Sequence, residues 1–352
     1  MDGTASPAYS VSMRYSIPRP RFHLIAALLG LCAAATPSLA ADSAVVLLYP
    51  RLFAPGAAAE SSGIRVGRLE THLAELKGGS YRVLGPSEIV AAFRENKALP
   101  DRTIALTFDD PSLVLYGDAW PRLKAAGLAF GVFVAPSEIG GAGMMNWTHL
   151  REMKAAGVTI GLRVPAAAAE PNSEQQGAAE LNRAAEAFAA ELGGRPGLLV
   201  WPAGEVNAKG MQAARNAGFA AAFGQHSGAA WMGQEHFYLP RFALTEDYAD
   251  LERFRQVTAA LPLPASDIIP ANPRLEQNPP PFGFTLADDY PNLDQLACFT
   301  AHDGRMKVEL LGNRVEARMS KPFPPGRGRI NCTLPNGDGR WRWLGYQWSV
   351  RR

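Results

Sequence analysis

From Ala44 to about Leu261 the chain alternates short apolar runs of strand length with longer segments of helical periodicity, and few folds accept that order. Val45 to Leu48 reads as the first strand, with helices following around Leu69 to Leu76 and Pro86 to Asn96. Thr103 to Phe108 carries the β-branched and apolar pattern of a buried strand. A helix from Ala119 to Ala126 closes at Gly127, and a strand from Phe130 to Val134 follows. Thr148 to Ala156 is the next helix and Val158 to Arg163 the next strand. The long helix from Ser173 to Leu192 has Ser173 as its cap and Gly193–Gly194 as its stop. Leu198 to Trp201, Asn207 to Ala217 and Ala220 to Phe223 then read as strand, helix and strand. The order implies an α/β domain over residues 41–261 with a mostly parallel sheet, closed as a barrel or doubly wound.

The texture changes at Pro262. Seven prolines between Pro262 and Pro281, with little apolar periodicity, predict an extended linker. Residues 282–352 show short alternating runs separated by Gly, Asn and Asp turns, which predicts a small all-β, sandwich-like module. Trp341, Trp343, Tyr346 and Trp348 crowd its last strand. Such rings either stack on sugar faces or fill the core of a small sandwich.

Residues 1–40 read as an export signal. Arg14, Arg19 and Arg21 form a basic front, Leu24 to Thr36 is an apolar core too short for a span, and Ser38–Leu39–Ala40 offers a cleavage site. An uncleaved anchor is the alternative, and Met13 could be the start. The implied location is periplasmic or secreted, with no stable membrane span after cleavage. The leader's three arginines and one aspartate account for the whole formal charge of +2, so the remainder is neutral. No basic stripe stands out, which argues against nucleic acid as a partner. Outside the leader, Cys298 and Cys332 are the remaining cysteines, and two in an exported chain predict a disulfide.

The features richest in chemistry are Asp109 and Asp110, at the C-terminal tip of the 103–108 run, where Pro111 and Ser112 stop the strand. Strand tips carry ligands and chemistry in α/β folds. Adjacent carboxylates repel, so they form either a solvated turn or a cleft compensated by a cation, a shared proton or water.

Thr107–Phe108–Asp109–Asp110, followed by a helix and Phe130–Gly131–Val132–Phe133–Val134, resembles the NodB-homology polysaccharide deacetylases, carbohydrate esterase family four. The stretch Asn146 to Gly161 resembles the approach to that family's second motif. Val200–Trp201–Pro202–Ala203–Gly204 up to Asn207 resembles its Tyr-Pro-x-Gly-x-x-Asn stretch, and Leu239–Pro240–Arg241 its late Pro-Arg element. Over about 45–255 the resemblance implies a distorted (β/α) barrel and metal-assisted hydrolysis of acetyl groups, by amide or ester cleavage, on a polysaccharide. It also implies that Asp109 is the general base and Asp110 a metal ligand.

The pattern breaks at the metal. The family's two further ligands are histidines spaced His-x-x-x-His just after the Ile-Gly pair, and here Arg163 and Ala167 hold those positions. Arginine stays protonated and alanine has no donor. A guanidinium about 4 Å from a dication adds repulsion of several kcal/mol at an effective dielectric near 20. The expectation is therefore no cofactor, with zinc or another divalent metal only if other ligands exist, and Arg163 as an electrostatic substitute paired with Asp110 or Asp109. His226, past the last parallel strand, is either an acid in the cleft or a structural histidine. Arg241 either orients Asp109 or forms a plain salt bridge. Glu205 and Trp201 are candidates for substrate contact, Asn207 an N-cap, and His149 and His236 weaker candidates. The functions left open are an impaired or altered deacetylase of an exported or cell-surface glycan, and a catalytically inactive glycan-binding or scaffold protein.

Overall fold

The computed structural model describes residues 1–3, 40–58 and 62–350, so the leader reading falls almost wholly outside the described residues. The six expected strands assemble with three short unexpected ones into one curled nine-stranded sheet. Its strands are β1 (Ser43–Tyr49), β2 (Arg82–Val83), β3 (Thr103–Phe108), β4 (Phe130–Val134), β5 (Thr159–Arg163), β6 (Leu198–Val200), β7 (Ala221–Phe223), β8 (Ala230–Trp231) and β9 (Phe242–Ala243). The main order is β7-β6-β5-β4-β3-β1-β8, with β2 beside β3 and β9 beside β1. All pairings are parallel except that of β8 with β1.

Helices follow the strands as a parallel sheet requires: α1 (Val66–Gly78), α2 (Pro86–Arg94), α3 (Trp120–Ala126), α4 (Trp147–Ala155), α5 (Ala166–Ala169), α6 (Glu174–Leu192), α7 (Ala208–Asn216) and α8 (Leu251–Thr258). Ser173 caps α6 by accepting from Gln176 N at 3.1 Å, and Asn207 caps α7 by accepting from Gly210 N at 2.8 Å.

Period-two alternation divides the core. On β3, Ile104, Leu106 and Phe108 pack outward under the helices, while Ala105 faces the barrel interior with Val46, Phe133, Val200, Phe223 and Leu239. Ile89, Val90 and Phe93 of α2 join that interior cluster. A Cβ on Gly131, at the start of β4, would meet Pro86 at 2.7 Å, which places the first turn of α2 against the N-terminal end of the barrel. The curled sheet closes through one segment. Leu239 bridges Phe223 on one edge, and Phe242–Ala243 pairs with β1 near the other.

Beyond β9 the chain builds two sheets from β10 (Leu261–Pro262), β11 (Ala265–Ile269), β12 (Phe282–Leu286), β13 (Ala297–Thr300), β14 (Gly304–Arg305), β15 (Lys307–Leu311), β16 (Arg314–Arg318), β17 (Gly326–Pro335) and β18 (Trp341–Val350). One has the order β10-β18-β17-β13-β14 and the other β11-β12-β16-β15. The expected linker at 262–281 is corrected here. Pro262 and Ala265–Ile269 are edge strands of this module, Leu275 is buried, and Tyr346 donates to Ala271 O at 3.0 Å. Proline favours the extended backbone the composition suggested, and the sheet edge tolerates its missing N–H. Cys298 and Cys332 face each other across β13 and β17 and are joined as a disulfide. Trp348 is fully buried against Phe282 and Phe323, and Trp343 lies edge-on to Phe242 of the barrel at 5.1 Å, so both fill core; Trp341 remains exposed.

Candidate active site

The alternation that puts Ala105 and Thr107 on the inner side of β3 continues one step past the strand, so Asp109 enters the mouth of the barrel. Arg241 meets it there from the segment that closes the barrel. Its Nη1 and Nη2 donate to Asp109 Oδ1 and Oδ2, both at 2.7 Å, while Nε donates to Gly224 O at 2.9 Å and Nη1 also reaches Thr107 Oγ1 at 3.2 Å. The guanidinium is completely buried above Phe133 and Phe223, at 5.8 and 5.9 Å from their ring centres. This forked, desolvated pair is the strongest kind a carboxylate can make.

Asp110 faces a cleft of about 600 Å³ lined by Arg51, Asp109, Asp110, Glu138, Met144 and Arg163, among others. Arg51 follows β1, the aspartates follow β3, Glu138 follows β4 and Arg163 ends β5, so the charged groups come from the C-terminal tips of four neighbouring parallel strands. Arg51 Nε lies 3.6 Å from Asp110 Oδ2. Burial pushes the Asp110 carboxyl above its ordinary range; Arg51 and Arg163 oppose that shift, and Glu138 adds to it. Pro111 is fixed by its carbonyl, which accepts from Met145 N at 2.8 Å.

Arg163 lies in the cleft, but its direct partner corrects the expected pairing: Nη2 donates to Glu138 rather than to either aspartate. Arg241 already saturates Asp109, and Glu138 stands at the tip of the strand adjacent to β5. Arg163 Nε is buried without a hydrogen bond, an arrangement that costs about 1–3 kcal/mol. Two residues earlier, Gly161 leaves room for the Phe133 ring, which a Cβ there would meet at 2.4 Å. Ala167 sits exposed on α5.

The remaining candidates lie elsewhere. Trp201 is fully buried with Nε1 donating to Phe237 O at 2.8 Å, so it is core and offers no surface to a substrate. Glu205 faces the β module, 3.9 Å from Arg327, because the turn after β6 points toward that module. His226 is buried and lines a different cavity, with its ring 4.4 Å from that of Tyr238. Burial lowers its pKa to about 3, so it stays neutral. His149 exchanges hydrogen bonds with Asn146 at the start of α4, and His236 Nε2 lies 2.9 Å from Met232 O. Sequence reasoning missed Arg51 and Glu138. The parallel pairing of Tyr49 with Phe108 and of Val134 with Leu162 is the signal that brings them beside Asp110 and Arg163.

These groups do not suit a divalent metal. Each cleft carboxylate already faces a guanidinium: Asp109 with Arg241, Asp110 with Arg51, and Glu138 with Arg163. Three acids and three arginines leave no surplus negative charge for a dication. Among the described residues no three His, Cys, Asp or Glu side chains gather to hold one, whereas a catalytic zinc takes three protein ligands.

Residues 96–222 match the family model described as polysaccharide deacetylase. YxkH of Bacillus subtilis strain 168, which bears a polysaccharide deacetylase name, is 24% identical over 173 residues, or 49% of this chain; the match spans 62% of that relative's length. The Streptococcus pyogenes deacetylase PplD, solved in complex with acetate, superposes with a TM-score of 0.55 at 20% identity, covering 61% of this chain and 98% of that one. IcaB from Ammonifex degensii gives 0.53 at 24% identity, covering 62% and 96%. Residues 96–222 thus resemble a polysaccharide deacetylase domain, and the barrel that carries the strand-tip aspartates and the Arg241 clamp is of the NodB-homology type.

Proposed function

We propose that the carboxylate cleft recognises an acetylated glycan, exported or at the cell surface, and that hydrolysis of its acetyl groups is impaired. The observation that carries this reading is the pairing of every cleft carboxylate with a guanidinium, where the family relies on a metal held by one aspartate and two histidines. Without a metal, nothing in the cleft lowers the pKa of an attacking water toward neutrality. Arg51 and Arg163 instead offer fixed positive charge and N–H donors to the carbonyl or hydroxyl oxygens of a sugar.

One feature favours a second reading, in which slow hydrolysis survives. Asp109 is still held by Arg241 as a positioned base, and a guanidinium can stabilise the oxyanion that forms when water attacks an acetyl carbonyl. Two measurements on the full chain decide between these. Acetate release from N-acetylglucosamine oligomers and O-acetylated glycans should be near background and unchanged by Asp109→Asn. Release that Asp109→Asn abolishes, without zinc, supports the second reading. Near-stoichiometric zinc lost in Asp110→Ala refutes both and restores a metal-dependent deacetylase.

A further inference from the structure

A cavity of about 440 Å³ lies where the barrel meets the β module. His226, Trp231 and Tyr238 line it from the barrel, and Asp267, Trp343 and Tyr346 from the module. It shares no lining residue with the carboxylate cleft. Its volume falls in the range of small-ligand sites, roughly 300–1,000 Å³.

The walls are fixed. Gly228 bridges Leu344, and a Cβ on Gly345 would meet Ser227 O at 2.0 Å, so the two parts of the chain touch backbone to backbone beside the cavity. Tyr238 donates to Gln347 O at 2.9 Å across the same junction. The space is therefore a built feature rather than a gap at a hinge.

The lining has a definite chemistry. Four aromatic side chains contribute, together with the carboxylates of Asp267 and Glu235, and the lining includes no lysine or arginine. His226 is only 4% exposed, and its Nδ1 has no hydrogen-bond partner. Because the ring stays neutral, it offers one N–H and one lone pair rather than a charge. Asp267 adopts a φ of 49°, left-handed backbone that a non-glycine residue rarely takes, beside a register shift between Ser266 and Ile269. Its carboxylate accepts from Ser266 Oγ at 3.0 Å and remains exposed.

We infer that this cavity is a carbohydrate site separate from the cleft, taking one or two pyranose units that are neutral or carry an amino group. Aromatic faces pack against the apolar C–H face of a pyranose, and its hydroxyls reach the imidazole and the carboxylate. A purely apolar ligand would strip water from the exposed Asp267 carboxylate without replacing its hydrogen bonds. A uronic acid would face the exposed Asp267 carboxylate, whereas Glu235 is already paired with Arg215 at 2.9 Å. The inference rests on this lining alone and is independent of what the cleft does.

Calorimetric titration of the full chain with cellobiose, N,N′-diacetylchitobiose, its fully deacetylated form, digalacturonate and decanoate reads the site. At least one of the first three is expected to bind saturably, with digalacturonate and decanoate silent. Trp231→Ala should weaken binding about tenfold and Asp267→Ala about fivefold. Asp267 is exposed, so its variant keeps the test valid if Trp231→Ala does not fold. The assignment is overturned if no neutral or amino disaccharide binds. It is equally overturned if decanoate or digalacturonate binds instead, or if Asp267→Ala has no effect.

Discussion

Asp109 and Asp110 are neighbours in the chain but belong to regions with different physics. Asp109 points into the barrel and is held by a wholly buried arginine that also ties Thr107 and Gly224 together, in the segment that closes the barrel. Asp110 lies on the open side, among Arg51, Arg163 and Glu138, whose side chains are all partly exposed. A group that completes the barrel is constrained by folding as well as by chemistry. Groups on the open side are constrained by chemistry alone, so they can be exchanged without loss of the fold. That asymmetry explains how the Asp109–Arg241 pair can stay fixed while the groups around Asp110, Arg163 among them, are free to change.

The largest effect should come from breaking the inner pair. Arg241→Met leaves Asp109 without its two bonds and frees Gly224 O and Thr107 Oγ1 inside the barrel. Removing one partner of a buried pair costs about 3–5 kcal/mol, and urea unfolding would read it. A loss below about 1 kcal/mol would mean that the clamp is not a folding element and that the contrast drawn here fails. A smaller effect is expected from reversing the outer change. Arg163→His together with Ala167→His puts imidazoles at the two positions where the family resemblance expects them and removes the competing cation from the cleft. Zinc affinity, followed by competition with a chelating dye, should rise by at least about 10–100-fold. No gain would show that Pro111 and the loop it anchors, rather than the missing histidines, disable the site.

The barrel was legible because its strands are almost continuously apolar and its helices carry caps, as at Ser173 and Asn207. β2, β8, β9, α5 and α8 escaped notice. The three strands have two residues each and α5 has four, too few for a period to register, and α8 has eight residues just before the prolines that suggested a linker. The aspartates and Arg241 could be read from motifs because local sequence holds them. Glu138 and Arg51 could not, since each acquires its partner only when parallel strands align their tips. Trp201 misled in the opposite way. A large aromatic in a motif suggests contact with a ligand, but here its indole N–H is satisfied by Phe237 O inside the core.

The smallest effect, and the sharpest test of the asymmetry, is on Asp110 itself. Burial raises its pKa above the ordinary 3.8, although Arg51 and Arg163 pull the other way. A carboxyl that binds its proton more readily when folded favours the folded state most below pH 3.8, and that contribution is lost as pH rises through the raised value. At neutral pH the ionised Asp110 therefore works against folding. Asp110→Asn should raise the Tm slightly at neutral pH, and its advantage over the parent should shrink to nothing as the pH falls below the ordinary carboxylate value. Asp109→Asn should do the reverse and destabilise at neutral pH, because it strands Arg241. If both variants lose stability at neutral pH, Asp110 is held as firmly by its arginines as Asp109 is by Arg241. The open side of the cleft would then be part of the folding core.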